Sequence, residues 1–325
     1  MATYKEIKGT QIEAVASDPS NPVEGQVWYN TTSNELKGQA TTTAGAWSTG
    51  GSLNTGRQQL AGAGTQTAAI AFGGAPGEKN ETELYNGSSW TEVNNLNTAR
   101  FELGAAGTST AAVGFGGELP GSNVTNTELW NGTNWTEVND LNAARARMGY
   151  AGASNTAALC VTGLPPPSSN AAVELWNGTN WTEVNDVNTA RYALFASGTT
   201  TSALAYGGGF PQKNETELWN GTNWTEVNNL NEARYALGGA GTSNTSALAF
   251  GGQPGVGPSS VNTEIWNGTN WTEDGNMGTG RVNLGGNGTA TAALAYGGEG
   301  PPAALTNTEE WNGAGASITR TFTDS

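Results

Sequence analysis

Five pairs of glutamates recur at one spacing: Glu83/Glu92, Glu128/Glu137, Glu174/Glu183, Glu217/Glu226 and Glu264/Glu273. Each pair flanks an Asn-Gly turn, as in "TELWNGTNWTEV". If that turn closes with Trp130 opposite Trp135, Glu128 lies opposite Glu137 on one face of a hairpin. Paired carboxylates can act as general acid and base or ligate a hard cation such as calcium. Facing like charges also weaken a sheet unless something bridges them. The sequence supplies one arginine per copy: Arg57, Arg100, Arg145, Arg191, Arg234 and Arg281. A guanidinium takes carboxylates bidentately. A structural Arg–Glu lattice, a calcium site and a ligand site all use these residue types. Five copies of one active site would be odd, so the lattice is the simplest use, with the arginine clasping blade to blade.

The elements that must position these groups follow from the repeat itself. Successive marker arginines are 43, 45, 46, 43 and 47 residues apart. Three residues after each stands Leu60, Leu103, Met148, Leu194, Leu237 or Leu284. A glycine pair follows, starting at Gly73, Gly116, Gly207, Gly251 and Gly297, and degraded in the third copy to Thr162-Gly163. Then come Tyr85, Trp130, Trp176, Trp219, Trp266 or Trp311, and five residues on Trp90, Trp135, Trp181, Trp224 or Trp271. Each unit reads as four short strands: one after the arginine, then "AALAFGG"-like, "TELW" and "WTEV" segments. Asn-Gly between apolar strand residues signals a hairpin, and the alternation has period two, not that of a helix. Four strands per 45 or so residues suit a propeller blade, with the tryptophans filling the space between blades.

Gly-Gly, a later aromatic, a tryptophan and the next unit's arginine resemble the kelch repeat over residues 57–313. The interval of five between aromatic and tryptophan departs from the usual six, and Ala316 stands where the last tryptophan would be. The resemblance implies an all-β, kelch-like β-propeller of four-stranded blades and no particular activity. Some kelch propellers perform copper-radical chemistry of the galactose oxidase type, which needs histidine ligands. This chain has no histidine, which also removes Ser-His and Cys-His nucleophiles.

Trp47 lies ten residues before Arg57, the interval of every other Trp–Arg link. It therefore belongs to the outer strand of a preceding blade, with "QVWYN" and "ELKGQ" as expected partners. Seven blades are favoured, residues 1–50 forming a divergent seventh and 51–325 the six repeats. The alternative is six blades plus an N-terminal attachment module. Pairing of "ITRTFT" (318–323) with an N-terminal strand would close the ring. In "EGQVWYNTTSNELKGQATTTAGAWSTG" (24–50) a glycine, a hydrophobic–aromatic–Tyr-Asn-Thr strand, a later Leu-Lys and a Gly-x-Trp are similar to a meander common in bacteriophage tail-fibre and structural proteins.

Composition narrows the partners. The 325 residues carry 28 acids against 13 bases, a poor balance for nucleic acid or an anionic membrane surface. No apolar run is long enough to span a bilayer, and the start lacks the apolar core of a signal peptide. Cys160 sits in the apolar run "AALCVTG", as a buried free thiol. One cysteine and no histidine leave no intramolecular disulfide and no ordinary zinc site, and no cofactor is expected. Sequons such as Asn131-Gly-Thr and Asn267-Gly-Thr serve as turns. The glycine pairs open no helix, so they cradle no phosphate.

Specificity is expected where the copies differ: the loops between second and third strands, on the face that carries the blade-to-blade connections. Lys79, Asn80, Pro120, Asn123, Pro166, Lys213, Pro254 and Pro302 mark these candidate binding loops. The opposite face carries the monotonous "NGTN" and "GTST" turns. The expectation is a non-enzymatic virion protein, a tail fibre or decoration, whose partner is a host-surface glycan or another virion protein. A bacterial lectin-like adhesin acting outside the cell is the alternative.

Overall fold

A computed structural model describes residues 12–20, 22, 25–41, 44–164, 170–209, 211–300, 303–314 and 317–322. Every regular element among them is a strand. Two compact units result: residues 46–312, and residues 1–45 together with 313–325.

Among its described residues the larger unit contains six four-stranded antiparallel sheets. The first runs through Ala61–Gly64, Ala69–Phe72, Thr82–Tyr85 and Trp90–Val93. The pattern recurs down to Gly285–Gly288, Ala292–Tyr296 and Thr308–Asn312. The first strand of each sheet touches that of the next, and Gly285–Gly288 touches Ala61–Gly64, so six blades make a closed ring. Ala and Gly dominate these inner strands because six of them converge on one axis. The hairpin register is the expected one, with Trp130 opposite Trp135 and Glu128 opposite Glu137.

The seven-blade expectation is corrected by the way the ring closes. Ala46–Gly50 pairs with Thr308–Asn312 as the outer strand of the sixth blade. Trp47 is thus an outer-strand residue, but its strand partner is not "QVWYN" or "ELKGQ". Its ring lies 4.9 Å from Phe250 and 5.4 Å from Trp311. Ser317–Phe322 does pair with the N-terminal strand Glu35–Thr41, yet that pairing builds a sheet of the smaller unit, with Glu13–Val15 and Val27–Asn30. There Asp18 accepts hydrogen bonds from Asn30, Trp28 and Lys37, which hold its carboxyl at about 2, down from an ordinary 3.8.

Three of the sets of contacts that join neighbouring blades are built on the repeat's tryptophans and glycines. The rings of Trp130, Trp176, Trp219, Trp266 and Trp311 are buried in clusters drawn from two adjacent blades each. The second glycine of each pair donates its N–H to the carbonyl of the next blade's arginine, from Gly74 on Arg100 (3.0 Å) round to Gly298 on Arg57 (2.8 Å). Both members of a pair have positive φ, a conformation glycine adopts freely. Thr162, the one replacement, keeps it at +60°.

The third set is Trp Nε1 donating to a threonine hydroxyl one blade back. Trp90 reaches Thr308, Trp135 reaches Thr82, Trp181 reaches Thr127, Trp271 reaches Thr216 and Trp47 reaches Thr263, at 2.8–3.1 Å. The sixth link is missing. Val173 stands where the third blade should offer threonine, and Trp224 Nε1 is buried with no partner among the described residues. Val173→Thr should therefore stabilise the fold by about 0.5–1.5 kcal/mol, the net worth of one hydrogen bond. A rise in urea midpoint checks it; a fall would mean that the lost methyl outweighs the bond.

The seam between last and first blades differs from the other five. Tyr85 replaces the usual tryptophan, and Glu310 replaces the usual Leu or Ile. The Tyr85 hydroxyl donates to Glu310 Oε1 at 2.6 Å. Burial, then this bond, push the phenol up to about 12.

Candidate functional site

The marker arginines and glutamates come together inside each blade. Arg57 donates to Glu83 at 2.7 Å and to the carbonyls of Gly73 and Glu81. Arg100–Glu128, Arg191–Glu217, Arg234–Glu264 and Arg281–Glu309 repeat the pair at 2.6–3.2 Å, and Arg145–Glu174 is bonded likewise. Both partners are buried. The residue three before the arginine completes the cluster: Asn54 donates its backbone and side-chain N–H to Glu83 and its amide to the Trp90 carbonyl. Asn97, Asn142, Asn188 and Asn231 do the same; Gly278 offers its backbone N–H alone.

Two expectations change here. The guanidinium does not bridge the facing carboxylates, because of the two it approaches only the third-strand glutamate. Glu92, Glu137, Glu183, Glu226 and Glu273 lie exposed on the outer strands, where water screens them. The side chain also clasps within its own blade; the residue's carbonyl makes the blade-to-blade link. Burial lowers the pKa of Arg57, Arg191, Arg234 and Arg281 against the opposing pull of their glutamates. Trp90, Trp135, Trp181, Trp224 and Trp271 are buried beside these clusters. The constellation is wholly enclosed and offers no group to a ligand.

The loops share a face with the linkers. Gln58 bridges to Ala75, Phe101 to Glu118, Ala146 to Leu164 and Val282 to Glu299, and Arg234–Tyr235 pairs with Gln253–Pro254. Several predicted loop residues are occupied in holding that arrangement. Lys79 pairs with Glu81 and Lys213 with Glu215, at 3.4 and 3.2 Å. Asn80 donates to the Leu96 carbonyl, and Asn123 to the Leu164 carbonyl of the neighbouring blade. Pro120 is exposed at a hairpin tip, and Val256, beyond Pro254, is 93% exposed. Pro166 and Pro302 lie outside the described residues.

At the centre of this face is a feature the sequence analysis does not identify. The residues two after each arginine are Gln59, Glu102, Arg147, Ala193, Ala236 and Asn283. All have φ between +51° and +56°. This left-handed conformation is uncommon for residues other than glycine. Each donates its N–H to the carbonyl of its counterpart one blade back, at 2.7–3.0 Å, and Gln59 donates to Asn283. Six backbone hydrogen bonds thus form a closed hoop around the axis, and their mutual support holds the strained dihedrals.

The hoop rims a pocket of about 80 Å³ walled by Leu60, Leu103, Met148, Leu194, Leu237 and Leu284. Tyr150 and Phe195 line it as well as a second axial cavity on the other side, so the two rings divide the channel. Their centroids are 5.7 Å apart. The Tyr150 hydroxyl meets the Gly62 backbone across the axis, and burial pushes it up to about 12. Other blades carry Gly or Ala at both positions.

The rim is chemically lopsided. Glu102 accepts from Gln59 Nε2 and Arg147 Nε. Burial raises the Glu102 pKa, opposed by Arg147 and reinforced by nearby Glu118. Arg147 is held above its ordinary value because Glu102 outweighs its own desolvation. Its side chain is 38% exposed, and its Nη atoms have no hydrogen-bond partner among the described residues. Ala193 and Ala236 make the opposite arc apolar. The available signal was the R-x-z-L tetrad (methionine replaces the leucine in the third copy), where z is Q, E, R, A, A and N in copies otherwise nearly alike.

No family model matches the chain, and no curated protein matches it. Among solved structures it is similar to one titled "Structure of YjhT", with a TM-score of 0.69 and 12% identity over 84% of this chain and 100% of that one. At that identity the likeness is one of fold.

Proposed function

We propose that this is a non-enzymatic attachment protein whose loop face binds a host-surface glycan or a protein surface, in the setting of a phage virion as a tail fibre or decoration. One observation carries the proposal: variation among the copies is concentrated on one face, around a single axial mouth, while the arginine clusters and tryptophans are consumed in holding the ring. Proline in the loops limits their freedom before contact and lowers the ordering cost of binding. The smaller unit carries most of the tail-fibre-like meander, whose last residues, 46–50, belong to the larger one, and suits anchorage to a particle.

The test shortens "ELPGSNVTN" (118–126) and "QPGVGPSSVN" (253–262) to the compact form of the fourth blade. Folding is expected to persist, with attachment to cells or incorporation into particles weakened. Charges placed in the "NGTN" turns should matter less. Turn-face variants that lose attachment while loop-shortened protein keeps it would put the working face on the other side. A mass-spectrometric inventory of purified particles tests the virion setting.

A further inference from the structure

We propose that the axial pocket is a carbohydrate subsite that takes one end of a neutral sugar, such as the terminal residue of a glycan. This rests on the loop face being the working face, and adds both the position and the ligand class. Three features on the rim and floor define the chemistry.

First, the polar groups are planar and point to hydroxyl recognition. Arg147 offers a forked pair of Nη donors, while Gln59 and Asn283 each carry both a donor and an acceptor. Adjacent sugar hydroxyls present donor and acceptor together, which such groups match in pairs. Second, Tyr150 and Phe195 give the pocket an aromatic floor, and the leucine ring gives it apolar walls. A sugar's C–H face suits that lining as its hydroxyls suit the polar arc. Third, the charge balance rejects ions. Glu102 and Glu118 flank Arg147, and the chain carries a net charge of −15, so an anion gains little from one guanidinium already paired. A cation would meet the partly exposed guanidinium of Arg147, while the Glu102 carboxylate is already taken up by Gln59 and Arg147. The hoop fixes the width of the mouth, so the pocket is formed before the ligand arrives, which reduces the cost of binding.

The repeats supply their own control for the test. Ala193 and Ala236 occupy the Arg147 position in the next two blades with the same backbone conformation, so alanine is compatible with the hoop. The probes are methyl glycosides of glucose, galactose, mannose, N-acetylglucosamine and N-acetylgalactosamine, alongside glucuronic acid and glucosamine, titrated against the intact chain by ligand-observed NMR. At least one neutral glycoside should bind. Arg147→Ala, and Glu102→Ala/Arg147→Ala, which leaves no buried carboxylate unpaired, should each weaken it about tenfold or more, the loss of one to two hydrogen bonds. Gln59→Ala, which keeps the ion pair, should weaken it less. Unchanged melting of the double variant excludes an indirect effect.

The proposal is overturned if no neutral glycoside binds, if the double variant binds one as well as the parent does, or if the acid or the amine is preferred. Loss of attachment on loop shortening alongside any of these would leave the loop face standing and remove only the axial subsite.

Discussion

Arg191→Met should cost about 3–5 kcal/mol of stability, the usual penalty for removing one partner of a buried ion pair. Arg191 and Glu217 both have fully buried side chains and meet at 3.2 Å. Glu217 would keep the N–H groups of Asn188 and Thr189, but its charge would lose its cation. The carbonyls of Glu215 and Ala205 would lose donors as well. Urea denaturation reads the loss directly. Adding Glu217→Gln to the first change should recover part of it, because the orphaned charge is then gone. Chelator should leave the melting temperature of the parent unchanged, since arginine supplies the positive charge. A cost under about 1 kcal/mol would mean that water reaches the pair and that the cluster is not what holds the third strand.

A chain of residues 46–312 should fold as a propeller, whereas residues 52–312 should not keep its stability. The shorter form lacks Ala46–Gly50 and leaves Thr308–Asn312 as an open edge. It also uncovers Phe250 and Trp311, which pack on Trp47, and removes the Trp47 bond to Thr263. Loss of a large aromatic from a core costs about 3–5 kcal/mol, and the lost strand ladder adds to it. Exposed edges also invite association between chains. The expected result is a melting point lower by 10 °C or more, on the order of what such a loss implies for a domain of this size, with aggregation on heating. A peptide spanning residues 45–51 added in trans should partly restore the melting point by strand addition. Equal melting of the two forms would show that closure depends on other contacts.

The blade was legible because its signals are local. Asn-Gly turns, alternating strands and a fixed Trp–Trp interval fix a hairpin whose register the structure reproduces, Glu128 opposite Glu137 included. Closure was not legible for a physical reason. Both "AWSTG" and "SITRTF" are strand-like segments near the ends, and pattern alone does not say which finds the sixth blade. The packing of Trp47 between Phe250 and Trp311 decides it, and that depends on residues more than 200 positions away. The destination of the arginine was half legible: its type and count announced a carboxylate partner. That it would take one glutamate and several carbonyls inside its own blade follows from burial, which periodicity does not reveal. The hoop left least trace, since it consists of backbone dihedrals and backbone hydrogen bonds, and only the varied third position of R-x-z-L hints at it.

The Tyr85–Glu310 hydrogen bond bears on how such a chain counts. Six near-copies face a sorting problem, because almost any blade could pack beside any other, and a seventh copy, or a copy from a second molecule, could slot into the ring. At this position the other five junctions set a tryptophan against a leucine or isoleucine, so the facing residues there are interchangeable. At the seam they are not: a phenol in the first copy and a carboxylate in the last recognise each other. An intruding copy would bring a tryptophan against Glu310, or a leucine against Tyr85, and bury one of the two without its partner. The two ends of the repeat therefore carry matched labels that favour closure of one chain upon itself at six. That chemical address comes due late, since the last blade must be made before Glu310 can be found, 225 residues after Tyr85.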